Sequence, residues 1–387
     1  MERILTRLGA GLVCGRLAIT TPDGKTLTFA GAKEGPSAAL TIHRWRMLLR
    51  LLMGGDIGFA ESYMAHEWST PDLAKVIELA ALNEREVVPS GAMAPIRMIN
   101  RFLHRKNRNT RSGSKRNIEA HYDLGNAFYK EWLDPSMSYS SALYTSPDQS
   151  LEDAQAAKIH LAMDALALKG GEKVLEIGCG WGALAEALIR EHQCRVTGLT
   201  LSHEQLAYAE DRLEKAQLSG KADLRLQDYR DVPESYDRIV SIEMIEAVGE
   251  ENWPAYFETL AKRLVPGGIA AVQAITIDEA RLEGYRRTPD FIQRYIFPGG
   301  MLPSITVMKQ QVARAGLTLA SAERFGLSYA RTLAEWRDRF DAAWPRLAKL
   351  GFTPRFKHMW EYYLAYCEAG FRLGTIDVGL YRIVKPG

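Results

Sequence analysis

The sequence predicts an α/β fold: a mostly parallel sheet covered by helices on both faces, preceded by a smaller α+β domain. Three observations predict it. From Ser150 onward, short apolar runs alternate with stretches of helical periodicity. Within that region, Lys173-Val-Leu-Glu-Ile-Gly-Cys-Gly-Trp-Gly182 reads as a strand, a glycine turn and the start of a helix. The residues ahead of it show hairpin and short-helix signals instead.

Taken in order, Leu17–Thr20 and Thr26–Phe29 flank Pro22-Asp23-Gly24, turn chemistry between two alternating runs. Ile42, Trp45, Leu48, Leu49 and Leu52 recur at helical spacing, and Gly54-Gly55 is expected to end that helix. Asp72–Leu82 predicts another, entered through Thr70-Pro71. His43 and His66 read as structural or surface residues. Leu151–Leu168 predicts a helix closed by Gly170-Gly171. Strands follow at Val174–Ile177, Arg195–Leu201, Asp223–Gln227, Arg238–Ile242 and Ile269–Ile275, with helices between them. Ser202-x-x-Gln205 is a capping box for the helix after the second strand.

At 387 residues and 47% hydrophobic content, the chain can build more than one sizeable core. A formal charge of +2 excludes a global polyelectrolyte role. Cys14, Cys179, Cys194 and Cys367 are scattered and form no C-x-x-C pair, which fits a reducing cytoplasm better than a disulfide framework or a zinc site. No apolar run approaches the ~18 residues of a membrane span. Gly9–Val13 is too short for a secretory leader. Between Glu86 and Glu119 every charged residue is basic, Arg97, Arg101, Arg105 and Lys106 among them. That segment reads either as a solvated linker or as an adsorption patch for anionic lipid or nucleic acid. Interleaved Ile96, Ile99, Phe102 and Leu103 allow an interfacial helix.

The glycine stretch is the chemical centre. Its spacing is G-x-G-x-G, not the G-x-G-x-x-G of dinucleotide sites, and glycine lets backbone approach a ligand closely. Glu176 stands two residues before the first glycine, at the carboxyl end of its strand. A carboxylate there suits a ligand with a cationic head, such as the amino group of S-adenosylmethionine, better than a pyrophosphate. A parallel sheet gathers Glu176, Gly178, Thr200, Asp228, Ile242 and Glu246 around one crevice at the strand ends.

These stretches, together with His121–Asn126, Asp134–Ser141, Gln227–Asp231, Ile296–Ser304 and Tyr362–Cys367, resemble the cyclopropane-fatty-acid synthases and mycolic-acid methyltransferases. The likeness runs from about His121 to the C-terminus. It implies a Rossmann-like class I methyltransferase core over 121–387, with a seven-stranded, mostly parallel sheet. It further implies a lipid-associating α+β domain over 1–95 and a basic linker over 96–120. S-Adenosylmethionine is then the methyl donor, and the cis double bond of an unsaturated phospholipid acyl chain is the acceptor. The implied location is cytoplasmic, at the anionic inner face of the membrane, with no nucleic-acid partner and a homodimer left open. Positions that contact the donor match Tyr139 and Ser140 as a lid, Gly178, Gly180, Thr200, Leu201, Gln205, Tyr229 beside the adenine, and Ile242. Gln205 takes the ribose-holding work that an acid does in most such enzymes.

An alkene is a weak nucleophile, and its methylation leaves a carbocation from which a base must take a proton. In the resembled family a bicarbonate does so, held by a Glu, a His, a Tyr and backbone amides near a Cys. The matching positions are Glu246, Gln273, Tyr329 and Ser141. Gln273 departs from the His, Ser141 from the Cys, and Glu243 stands where the family has glycine. A glutamine can donate to an anion but cannot be protonated. Either a cyclopropane still forms, or the cation undergoes a hydride shift and yields a methylene- or methyl-branched chain. Glu243 or Glu246 could then be the base, since an apolar pocket raises a carboxyl's pKa; alternatively Glu243 pairs with a nearby arginine and is structural. A small-molecule or nucleic-acid methyltransferase with a basic arm is the rival class.

Overall fold

The computed structural model describes residues 1–83 and 124–387. The basic segment 96–120 and His121-Tyr122-Asp123 lie outside them. The described residues form two compact units: 1–83, 287–296 and 333–374 in the first, and 124–286, 297–332 and 375–387 in the second. Grouping by packing therefore differs from the grouping by chain order expected above, which placed 287–296 and 333–374 in the catalytic part.

In the first unit β1 (Cys14–Thr20), β2 (Thr26–Ala30), β3 (Lys33–Ile42) and β4 (Trp68–Ser69) form a sheet in the order β2-β1-β3-β4. The expected hairpin joins β1 and β2, with Thr21 N donating to Lys25 O at 2.9 Å and Gly24 at a φ of 85°. β3 was not expected; it runs parallel to β1 in spite of Pro36. The helix Arg46–Met64 continues beyond Gly54-Gly55, where Gly55 (φ 58°, ψ −137°) kinks it. Asp72 caps Leu73–Leu82 by accepting from Lys75 N. The helix Pro354–Arg372 packs against both of these helices and buries Trp360, Tyr363 and Leu364, which is why it groups with this unit. His43 and His66 are exposed and stack on each other at 5.0 Å.

In the second unit β5 (Lys173–Ile177), β6 (Arg195–Thr200), β7 (Ala222–Leu226), β8 (Tyr236–Ile242), β9 (Leu264–Ile277), β10 (Thr318–Arg324) and β11 (Ile376–Val384) form one sheet, ordered β10-β11-β9-β8-β5-β6-β7. Its five parallel strands are those the sequence predicted. β10 and β11 extend it antiparallel from β9. Trp253, Tyr256, Phe257 and Leu260 recur at i, i+3, i+4 and i+7 on the helix Trp253–Arg263 and bury that stripe in the core with Ile239 and Val272. β6 and β7 lie on one side of β5, and β8 and β9 on the other. The crevice of such a sheet opens at the carboxyl ends of the strands where the order reverses, here β5 and β8. Among the described residues, no helix is long and apolar enough to cross a membrane.

Candidate active site

The loop after β5 turns through three left-handed glycines, with φ of 83° at Gly178, 51° at Gly180 and 83° at Gly182. Gly178 N and Cys179 N both donate to Leu199 O, at 3.0 and 2.8 Å, which ties the loop to β6. A Cβ on Gly178 would meet Met244 Sδ at 2.5 Å, and one on Gly182 would meet Ala209 Cβ at 3.0 Å. At Gly180 it would meet nothing within 4 Å. Two of the glycines thus serve the protein's own packing, and the third faces open space among the described residues. Glu176 is buried in register with Gly198 of β6 and Val240 of β8, and among the described residues its Oε2 has no hydrogen-bond partner. Burial pushes its carboxyl up to about 8, with the Lys158 charge opposing.

Around this loop, Thr200 Oγ1 donates to Gln205 Oε1 at 2.9 Å, while Gln205 N donates to Ser202 Oγ at 3.3 Å. The capping box is therefore only half made. The Gln205 side chain turns to Thr200 instead of its helix. Tyr229 is buried edge-on to Tyr256 at 5.6 Å, its hydroxyl without a partner among the described residues and pushed by burial to about 12. Asp228 is engaged by Arg230, Nε to Oδ1 at 2.8 Å and Nη2 to Oδ2 at 2.5 Å. Leu201 and Ile242 are half-buried at the ends of β6 and β8. Tyr139 packs on Tyr129 and Trp132, with centroids at 5.3 and 5.8 Å.

Glu243 ends β8 with a φ of 50°, a left-handed conformation that costs a non-glycine residue roughly 1–2 kcal/mol. Its backbone N donates to Gln273 O at 2.9 Å. Its carboxylate is caged: Oε1 accepts from Ser141 N at 2.9 Å and Gln273 Nε2 at 2.7 Å, and Oε2 from Tyr329 hydroxyl at 2.7 Å. No arginine pairs with it among the described residues, so the expected structural pairing gives way to this donor set. Ser141 serves through its backbone, since its Oγ donates to Ala142 O at 2.9 Å. Burial raises the Glu243 carboxyl, and the three donors oppose the rise. Glu246 Oε1 accepts from Ile275 N at 2.5 Å, whereas its Oε2 is buried with no partner among the described residues. Burial and the Glu243 charge push Glu246 up to about 8. Burial raises both neighbouring carboxyls, but their settings differ: Glu243 accepts three hydrogen bonds that favour its ionised form, and Glu246 accepts one. The donors that the resemblance allots to bicarbonate are thus already on Glu243. The residues present do not fit a bound bicarbonate, and no step is derived through it.

Residues 109–380 match the profile of the family described as mycolic acid cyclopropane synthetase. The chain belongs to that family. It is 40% identical over 398 residues to the tuberculostearic acid methyltransferase of Mycobacterium tuberculosis, spanning 100% of this chain and 91% of that protein. It is 36% identical over 341 residues to the cyclopropane-fatty-acyl-phospholipid synthase of Escherichia coli, spanning 87% and 84%. A mycolic acid cyclopropane synthase crystallised with SAH and CTAB superposes with a TM-score of 0.66 at 30% identity, covering 70% of this chain and 98% of that one. This cyclopropane synthetase family member is an S-adenosylmethionine-dependent methyltransferase with the class I fold. Its family comprises ring-forming and methyl-branching fatty acid methyltransferases. Among the described residues the cradle leaves space over Gly180, an unpartnered Glu176 carboxyl oxygen and the Gln205 amide donors, a set whose chemistry fits the donor.

Two residues of this site escaped the sequence reading. Gln155 Nε2 donates to Ser140 O, and Lys158 Nζ to Ser140 Oγ, each at 3.0 Å. The available signal was positional: both fall on the apolar face of the helix Leu151–Leu166, in step with Leu151, Ala154 and Ala162.

Proposed function

We propose that this family member methylates the cis double bond of an unsaturated acyl chain carried by a membrane phospholipid, and that the product is a methylene-branched chain with Glu243 as the base. The observation that carries this reading is the Glu243 carboxylate seated on Ser141 N, Gln273 and Tyr329. When bound, the donor supplies an electrophilic methyl group, and its transfer leaves a cation on the neighbouring acyl carbon. Glu176 and Gln205 hold the donor, and Tyr139 and Ser140 cover it.

Glu243 then decides the product. A carboxylate that accepts three hydrogen bonds is a weaker base than a bare one. Proton removal is slowed, while a 1,2-hydride shift within the acyl chain needs no partner. The shift moves the positive charge to the more substituted carbon. Loss of a proton from the new methyl group to Glu243 leaves a C=CH2 methylene branch on the acyl chain. Ring closure requires that proton to leave before the shift. The 40% identity to a tuberculostearic acid methyltransferase along the whole chain supports a branch over a ring. The 36% identity to a cyclopropane-fatty-acyl-phospholipid synthase of Escherichia coli supports a phospholipid as carrier. We assign residues 1–95 to lipid contact and 96–120 to the anionic surface, to be tested by vesicle flotation with and without anionic lipid.

The deciding experiment incubates the protein with dioleoyl phosphatidylglycerol vesicles and methyl-labelled donor, then analyses the released fatty acids by mass spectrometry. A gain of one CH2 with the alkene retained is expected. A gain with a ring and no alkene overturns the branched product. No gain, under conditions where S-adenosylhomocysteine binds, overturns the acyl acceptor.

A further inference from the structure

Lys158 is a buried lysine whose ammonium makes one hydrogen bond among the described residues, to Ser140 Oγ at 3.0 Å. An ammonium has no lone pair and can only donate. Ser140 Oγ is therefore the acceptor, which leaves its own hydroxyl proton for another partner. Gln155 Nε2 fixes the same residue by donating to its carbonyl at 3.0 Å, so Ser140 is held at both backbone and side chain from one helix. Burial lowers the Lys158 amine, and Glu243 after β8, Asp134 in the segment before Ser140, and Glu176 on β5 oppose that shift. Within this setting Glu176 Oε2 is a buried acceptor with no partner. The site thus presents a carboxyl oxygen without a partner among the described residues and a hydroxyl donor backed by a lysine. The amino-acid end of S-adenosylmethionine is a zwitterion with the complementary pair of charges.

We propose that Lys158, acting through Ser140, forms the receptor for the donor's α-carboxylate, as Glu176 does for its ammonium. Lys158 is a positioning residue. The inference goes beyond the product assignment and rests only on S-adenosylmethionine as the donor.

The test is calorimetric binding of two ligands to the full-length protein. One is S-adenosylhomocysteine, and the other is 5′-methylthioadenosine, which keeps the nucleoside and sulfur but lacks the amino-acid end. Lys158→Met is expected to weaken S-adenosylhomocysteine ~10-fold or more, the scale of losing a charge-assisted hydrogen bond, and to leave methylthioadenosine unchanged. Ser140→Ala is expected to show the same selectivity, and it stands in if the Lys158 variant does not fold. Unaltered S-adenosylhomocysteine affinity in the tested variant overturns the proposal, as does equal loss for both ligands. Neither readout involves the acyl product, so failure here leaves the Glu243 assignment standing, and the reverse also holds.

Discussion

At the scale of single residues, Glu243 carries the sharpest consequences. Glu243→Gln keeps the size of the side chain but removes the base, so turnover is expected to fall roughly 10²–10⁴-fold. S-Adenosylhomocysteine affinity, measured by calorimetry, is expected to hold. Because burial raises the Glu243 carboxyl and the base must be ionised, the rate rises as pH climbs through that pKa. A flat acid limb in the pH–rate profile would contradict the assignment. Glu243→Gly combined with Gln273→His removes the built-in carboxylate and restores a protonatable partner. Added bicarbonate is then expected to bring a ring product into the fatty-acid profile; if none appears, the role given to these departures is wrong. That Glu243 and Gln273 stand at informative positions was legible in the motifs. That they touch was not: a glutamate beside an apolar strand can reach an arginine or solvent, and only the left-handed φ at Glu243 turns its carboxylate to Ser141, Gln273 and Tyr329.

At the scale of elements, the strand–glycine loop–helix unit separates packing from binding. Gly178→Ala drives a Cβ to 2.5 Å from Met244 Sδ at a φ of 83°, so both thermal stability and donor affinity are expected to drop. Gly180→Ala meets no atom within 4 Å and carries only the left-handed cost of roughly 1–2 kcal/mol. Its cost to donor binding is expected to exceed its cost to stability, because the new methyl occupies space left for the ligand. Thermal melts with and without S-adenosylhomocysteine distinguish the two variants. The parallel strands were legible because each is an apolar run bounded by helical periods. β3 was not, since Gly35-Pro36 breaks its alternation and its pairing with β1 is parallel, hence non-local. The Ser202-Gln205 pair was half legible: the cap forms, but Thr200, a residue of the preceding strand, captures the glutamine side chain.

At the scale of the whole molecule, two buried carboxyls make stability depend on pH in an uncommon direction. Glu176 and Glu246 are each raised to about 8 in the fold, whereas unfolded glutamates titrate at about 4.3. Over that interval the folded state holds more protons, so their contribution is full below about 4.3 and is lost as pH rises toward about 8. The melting temperature of the ligand-free protein is expected to decline across this window, and Glu176→Gln with Glu246→Gln to flatten the decline. A melting profile that the double substitution leaves unaltered would exclude these groups as its source. The five parallel strands and the glycine turn were legible in the sequence, because periodicity and turn chemistry are local properties of the chain, and the motifs that resemble the family pointed to the donor. The tertiary structure alone decided that Lys158 backs Ser140, that three donors converge on Glu243, and that residues 333–374 group with the N-terminal unit. Each of these joins residues far apart in the chain, and which such groups meet is settled by packing.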